Sequence, residues 1–221
     1  MHYAIPRAIL FDLDGTLADT APDLAAAVNQ LRAKRGLSPS PYERLRPAAS
    51  SGARGLIGAA FGLTPEDDGY DELHVDFLKN YAAALAVESR LFDDIAELLD
   101  TLVTNGVRWG IVTNKAARFT DLLVPQIGLH AASCVVSGDT TPHPKPHPAP
   151  LLEAARRLEL EPGECWYVGD DLRDIQAGQA AGMKTIAAAW GYCGNMEPTG
   201  WNADAIAAHP LQLLELLHAA A

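Results

Sequence analysis

The sequence predicts an α/β fold, a doubly wound parallel sheet interrupted near its start by an all-helical insert. Three observations carry that expectation. The apolar run Ala8 to Phe11 reads as a buried strand that stops at two carboxylates, Asp12 and Asp14. From Thr16 to about Arg90 the chain reads as helix only. Beyond that point strand and helix alternate, the pattern of a parallel sheet covered on both faces.

The first strand owes its assignment to length and apolarity, and its end to Gly15, which permits a sharp exit. Thr20-Ala21-Pro22-Asp23 opens a helix with Pro and an acid in its first turn, and Leu24, Ala27, Val28 and Leu31 recur at helical spacing until Gly36. After a Pro/Ser loop, Leu56, Ile57, Ala60 and Phe61 share a face before Gly62. Thr64-Pro65-Glu66-Asp67 is read as the start of a third helix, whose stripe of Leu73, Phe77, Leu78, Tyr81 and Leu85 runs to about Ser89. In the alternating part, Ile95, Leu98, Leu99 and Leu102 form a helix closed by Gly106, and Val107 to Val112 a strand ending in Thr113-Asn114-Lys115. A helix with Phe119, Leu122 and Leu123 leads to a strand from Cys134 to Ser137. Leu151, Leu152, Ala155 and Leu158 mark the next helix, and Cys165 to Val168 a strand running into Gly169-Asp170-Asp171. A helix over 171–181, a strand from Thr185 to Ala189 and a helix from Leu211 to Leu217 complete the chain.

Composition narrows the functions. A formal charge of −11 speaks against a nucleic-acid footprint, and 48% hydrophobic residues are ample for a core. The three cysteines, Cys134, Cys165 and Cys193, are odd in number and lack metal spacing, so buried thiols in a reducing, cytoplasmic compartment are expected. The N-terminus lacks the pattern of a signal peptide, and no run is long enough to span a bilayer. A small-molecule substrate is expected, with no nucleic-acid, membrane or obligatory protein partner.

Polar clusters fall at four predicted strand ends: Asp12/Asp14, Thr113/Asn114, the loop holding Lys145, and Asp170/Asp171 with Asp174. Parallel strands bring such ends to one edge. Two acids at i and i+2 share a face of a strand and repel, which a divalent cation would offset. Taken alone, each cluster also fits a plain turn, a helix cap or a solvated lysine.

The ordered set Asp-x-Asp-Gly-Thr, Thr-Asn, Lys-Pro and Gly-Asp-Asp-x-x-Asp resembles the haloacid dehalogenase superfamily, and most closely its phosphoglycolate-phosphatase-like members, whose helical cap follows the first motif. The resemblance implies a Rossmann-like catalytic core over 1–15 and 91–221 and a cap domain over 16–90. It implies Asp12 as nucleophile, forming an aspartyl-phosphate, and Asp14 as the proton shuttle for leaving oxygen and water. Mg²⁺ is expected between the carboxylate of Asp12, the backbone carbonyl of Asp14 and Asp170, with Asp174 reaching the metal through water. Thr113, Asn114, Lys145 and Thr16 would surround the phosphoryl group. In the cap, Gly52 and Arg54 are the candidates for binding a substrate carboxylate or phosphate at a helix start. His143 and His147 flank Lys145 and are read as loop histidines, and Asp171 as a helix cap. The family's usual Pro-Gly return from the cap is Asp93-Asp94 in this chain.

The function implied is a Mg²⁺-dependent phosphatase of a small carboxylated phosphate ester. Phosphoglycolate is the first candidate and N-acetylmuramic acid 6-phosphate the alternative. A phosphosugar mutase would share the same residues. Dehalogenation is disfavoured by Asp14, and a receiver-type signalling domain by length and by the insert.

Overall fold

The computed structural model describes residues 5–194 and 196–219. β1 (Ala8–Phe11) leads through β2 (Ala18–Asp19) into α1 (Ala21–Lys34), α2 (Tyr42–Leu45), a 3-10 turn at Pro47–Ser51, α3 (Gly52–Phe61) and α4 (Tyr70–Ala83), and β3 (Arg90–Leu91) brings the chain back. There follow α5 (Ile95–Thr104), β4 (Arg108–Val112), α6 (Ala117–Gln126), β5 (Val135–Val136), α7 (Ala149–Arg157), β6 (Cys165–Gly169), α8 (Leu172–Ala181), β7 (Lys184–Ala188), β8 (Ala205–Ala207) and α9 (Gln212–His218).

The main sheet runs β5-β4-β1-β6-β7-β8, and every pair in it is parallel. β1 sits inside it, with Ala8 opposite both Arg108 and Cys165. From β1 the chain builds outward through β4 and β5, then crosses back to β6, β7 and β8. Strand order reverses at β1, and a doubly wound sheet opens its ligand crevice at such a point. The period of two in β1 sends Ile9 and Phe11 into one apolar layer and Ala8 and Leu10 into the other. All four are fully buried, and burial of Ile9, Leu10 and Phe11 contributes ~1.5–3 kcal/mol each. Gly110 keeps β4 close to its neighbour, since a Cβ there would lie 2.6 Å from the Cys134 sulfur.

The inserted helices form a cap: α1 packs against α3 and α4, and α3 against α4. The cap is not purely helical at its root. β2 and β3 pair antiparallel, Ala18 with Leu91 and Asp19 with Arg90, where helix alone was expected. Strands of two residues leave no periodicity to read.

α4 is also shorter than the sequence predicts. Asp67 accepts from the Thr64 N–H and hydroxyl at 2.7 and 2.9 Å, closing a local turn, and the helix begins only after Gly69, at φ 84°. At the other end α4 stops at Ala83 instead of near Ser89. There the buried Asp23 carboxylate of α1 accepts from the N–H groups of Val87, Glu88 and Ser89 and from the Ser89 hydroxyl, over 2.7–3.1 Å. That knot takes the donors a longer helix would need. Asp94, at the start of α5, has φ 66°, a left-handed conformation that glycine adopts freely and Asp at a cost of about 1 kcal/mol.

Leu122 and Leu152, among the apolar residues that mark α6 and α7, are exposed, and β8 was not foreseen. Among the described residues no helix is long and apolar enough to cross a membrane. Cys134, Cys165 and Cys193 are free thiols, the first two buried.

Candidate active site

The C-terminal ends of β1, β4 and β6 bring the predicted clusters together. Asp12 follows β1 directly. Its Oδ1 accepts from the Leu13 N–H at 2.8 Å and lies 2.9 Å from Lys145 Nζ. Lys145 also reaches Asp174 Oδ1 at 2.7 Å, the Tyr167 hydroxyl at 2.8 Å and the Val112 carbonyl at 3.0 Å. Its side chain is 2% exposed, so this lysine is a buried counter-ion. Asn114 holds it in place by its backbone: Oδ1 accepts from the Lys145 N–H and Nδ2 donates to the Lys145 carbonyl, both at 2.9 Å.

Asp12, Asp170 and Asp174 can each offer a carboxylate oxygen within 4.8 Å of the others. Asp170 is fully buried and accepts from the Thr16 hydroxyl at 2.8 Å and the Tyr192 N–H at 2.9 Å. Two glycines make room for it. A Cβ on Gly15 or Gly191 would come within 2.2 or 2.3 Å of Asp170, and Gly15 has φ 89° besides. Burial pushes the Asp12 carboxyl up to about 7, with Lys145 opposing and Asp174 adding to the rise. Asp170 is driven well above the usual carboxylate range, by burial first and then by Asp12 and Asp174. Three crowded acids with one lysine lack positive charge, and the all-oxygen donor set suits a hard divalent cation.

Asp14 turns its carboxylate elsewhere, to Lys115 Nζ at 2.9 and 3.1 Å and to the Thr20 hydroxyl at 2.5 Å. Only its backbone carbonyl therefore remains for the metal role expected of it. A cleft of about 430 Å³ opens between core and cap, and Asp12, Asp14, Thr113, Asn114, Gly52 and Arg54 all line it.

Residues 9–188 match the sequence model of the haloacid dehalogenase-like hydrolases. The chain belongs to that family. A phosphoglycolate phosphatase of Xanthomonas campestris pv. campestris is 45% identical over 212 residues, 95% of this chain and 96% of the relative. An N-acetylmuramic acid 6-phosphate phosphatase of Pseudomonas putida is 41% identical over 216 residues, 97% of each. Among solved structures, a predicted phosphoglycolate phosphatase from Haemophilus somnus 129pt superposes with a TM-score of 0.83 at 26% identity, covering 98% of both chains. CbbY from Rhodobacter sphaeroides in complex with phosphate gives 0.74 at 25% identity, covering 94% of this chain and 96% of that one.

In this haloacid dehalogenase-like hydrolase not every predicted residue faces the cleft. Lys145, Asp170 and Asp174 stand behind Asp12, and Thr16, expected at the substrate, is fully buried with its hydroxyl on Asp170. Thr113 is at the wall, its hydroxyl oxygen accepting from the Lys115 N–H at 3.1 Å. At the start of α3 the Gly52 N–H already donates to the Ala49 carbonyl, so that helix end offers fewer free donors than its sequence promises. Asp171 caps α8 as expected, accepting from the Arg173 N–H at 2.9 Å. Burial would raise its pKa, but hydrogen bonds and charge from Arg173 outweigh that and hold it low. His143 and His147 are exposed, with ring centres 4.7 Å apart, and neither lines the cleft.

Sequence reasoning passed over Lys115, Tyr81 and Arg173. Arg173 donates to the Ser50 carbonyl at 2.7 Å, joining the core to the cap. Lys115 was visible in the Thr-Asn-Lys run, but its partners, Asp14 and the Tyr81 ring 4.8 Å away, come from distant parts of the chain.

Proposed function

We propose that this hydrolase is a Mg²⁺-dependent phosphomonoesterase that cleaves a small carboxylated phosphate ester through an aspartyl-phosphate on Asp12, with phosphoglycolate the first candidate. Its relatives are phosphatases by name, and the protein is a phosphatase of this family. The observation that carries the mechanism is the meeting of Asp12, Asp14 and Thr113 on one wall of the cleft, with Lys145 held against Asp12 from behind.

The Leu13 N–H and Lys145 both hold Oδ1 of Asp12, leaving Oδ2 as the nucleophilic oxygen. As the Asp12 oxygen bonds to phosphorus, the bond to the ester oxygen breaks and Asp14 delivers a proton to it. Water then attacks phosphorus, the bond to Asp12 breaks, and Asp14 takes the water's proton. Thr113 and the Asn114 backbone donate to the phosphoryl oxygens. Asp12, Asp170 and the Asp14 carbonyl would hold Mg²⁺, with Asp174 reaching it through water, a choice supported by the trio's all-oxygen donors and excess negative charge. When bound, the ion neutralises phosphoryl oxygens during transfer.

In this reading the core comprises 1–15 and 91–221, and the cap, 16–90, carries Gly52 and Arg54 for substrate choice. Cytoplasmic residence is supported by the free thiols. N-Acetylmuramic acid 6-phosphate is the second reading. It is favoured by a relative nearly as similar and by a cleft of about 430 Å³, roomy for a two-carbon acid.

The test is phosphate release from 2-phosphoglycolate, N-acetylmuramic acid 6-phosphate and hexose phosphates by the wild type and by Asp12→Asn. The variant should release none; near-wild-type release would end the mechanism. Isomer formed in place of free phosphate would make the protein a mutase.

A further inference from the structure

Two polar groups of the cleft, one on each side of it, have no task in that mechanism. Tyr81, on α4, is 2% exposed, and its buried hydroxyl finds no acceptor for its proton among the described residues, the neighbouring Lys115 ammonium being itself a donor. Native structures rarely leave such a group unmatched unless something else meets it. The ring cannot easily turn the hydroxyl to solvent, because Phe77 stacks on it at 6.2 Å and Phe119 of α6 packs at 5.4 Å. Lys115, between β4 and α6, has its ammonium 4.8 Å from the centre of that ring, and its side chain is 7% exposed. Both residues line the cleft.

The electrostatics keep both as donors. The Lys115 ammonium lies 2.9 Å from the Asp14 carboxylate, an ion pair that leaves its other N–H groups free to donate. Burial pushes the Tyr81 phenol up to about 12, so it keeps its proton. A phenol with no acceptor beside a desolvated ammonium is complementary to a carboxylate, which has lone pairs for both.

We infer that Tyr81 and Lys115 form a carboxylate subsite, one wall from the cap and one from the core, that selects phosphate esters whose carboxylate is carried on the same carbon as the ester oxygen. This rests on the phosphatase reading with Asp14 as the acid. Lys115 touches Asp14, and Asp14 must reach the leaving oxygen. A group held by Lys115 is therefore attached next to that oxygen. A carboxylate across a sugar ring would overshoot this point and need another donor of the cleft wall, for which Arg54 is available. Tyr81 and Lys115 are specificity residues here, since neither touches the reacting phosphorus or oxygen.

Binding measured by calorimetry with saturating Mg²⁺ in the inactive Asp12→Asn background tests the subsite. The ligands are two pairs: 2-phosphoglycolate against ethyl phosphate, and 6-phosphogluconate against glucose 6-phosphate. The Asp12→Asn parent should prefer 2-phosphoglycolate to ethyl phosphate. Adding Tyr81→Phe should cut that preference about tenfold, and Lys115→Met by more. The preference within the second pair should not move. No preference in the parent, an unchanged first ratio, or an equal fall in both pairs would overturn the subsite. Tyr81→Phe should melt within about 2–4 °C of its parent without ligand, because the hydroxyl loses only its contact with Lys115; a larger fall would make the hydroxyl structural and overturn its recognition role. Failure of the phosphatase reading reads differently, as a wild-type protein that releases phosphate from none of these esters while the binding ratios still report on the subsite.

Discussion

Replacing Lys145 with Met removes the only cation in contact with Asp12 and Asp174 among the described residues. The lysine side chain is 2% exposed and that of Asp174 1%, so water cannot take its place. Breaking a buried ion pair from one side costs about 3–5 kcal/mol, because the remaining charges stay desolvated. At ~2–4 °C per kcal/mol for a chain of this size, the metal-free variant should melt roughly 6–20 °C below the wild type at pH 8. The loss should shrink at pH 5.5. A carboxyl whose folded pKa is raised lends stability at low pH that disappears as pH climbs through that folded value. Asp12, at about 7, and Asp170 already behave so, and without the lysine Asp12 rises further. Mg²⁺ should restore more of the melting temperature in Lys145→Met than it adds to the wild type, while activity stays lost. Scanning calorimetry at both pH values, with and without Mg²⁺, measures all of this. A cost below about 1 kcal/mol, or one as large at pH 5.5 as at pH 8, would refute the buried counter-ion argument.

Asp23→Ala strips the acceptor from Val87, Glu88 and Ser89 and should cost roughly 2–4 kcal/mol in urea unfolding, with protease nicking between 84 and 89. Mg²⁺ affinity should climb with pH up to about 7, by roughly tenfold per unit for each proton displaced, because Asp12 must give up its proton to bind; titration calorimetry giving a flat profile from about pH 5.5 to 7.5 would contradict this. Cys134 and Cys165, both pushed up to about 11 by burial, should resist iodoacetamide at pH 8, where only about one thiol in 10³ is ionised, and should react once urea unfolds the chain. Arg54→Ala should raise KM about tenfold more for 6-phosphogluconate than for 2-phosphoglycolate; equal effects in steady-state assays would remove Arg54 from recognition of a remote carboxylate.

The carboxyl-edge residues were legible because strand ends and glycines announce them. β1 stops at Asp12, Gly15 follows, and four such ends on parallel strands must share an edge. What stayed hidden depended on partners far along the chain. Nothing near Thr64 signals that Asp67 will close a turn and delay α4, and nothing near Ser89 signals that Asp23 will claim its N–H. The β2–β3 ribbon is too short to have a period, and β8 is a three-residue edge strand. Thr16 was placed at the substrate because it adjoins the acids in sequence, yet its hydroxyl is spent on Asp170. Lys145 shows the reverse: a lone lysine among prolines reads as surface, and only the Asn114 clasp and the carboxylates around it make it core.

The place of β1 in the sheet also sets when in the life of the molecule its chemistry can begin. β1 is made before both of its neighbours, yet it lies between β4 and β6. Asp12 is synthesised early and has no counter-ion until Lys145 emerges, and the carboxylate trio is incomplete until Asp174 follows. A nascent chain arrested before Lys145 therefore carries the nucleophile without its counter-ion, and one arrested before α8 still lacks the full carboxylate trio. Such non-local closure slows folding, and here it also ties the first appearance of activity to the emergence of α8.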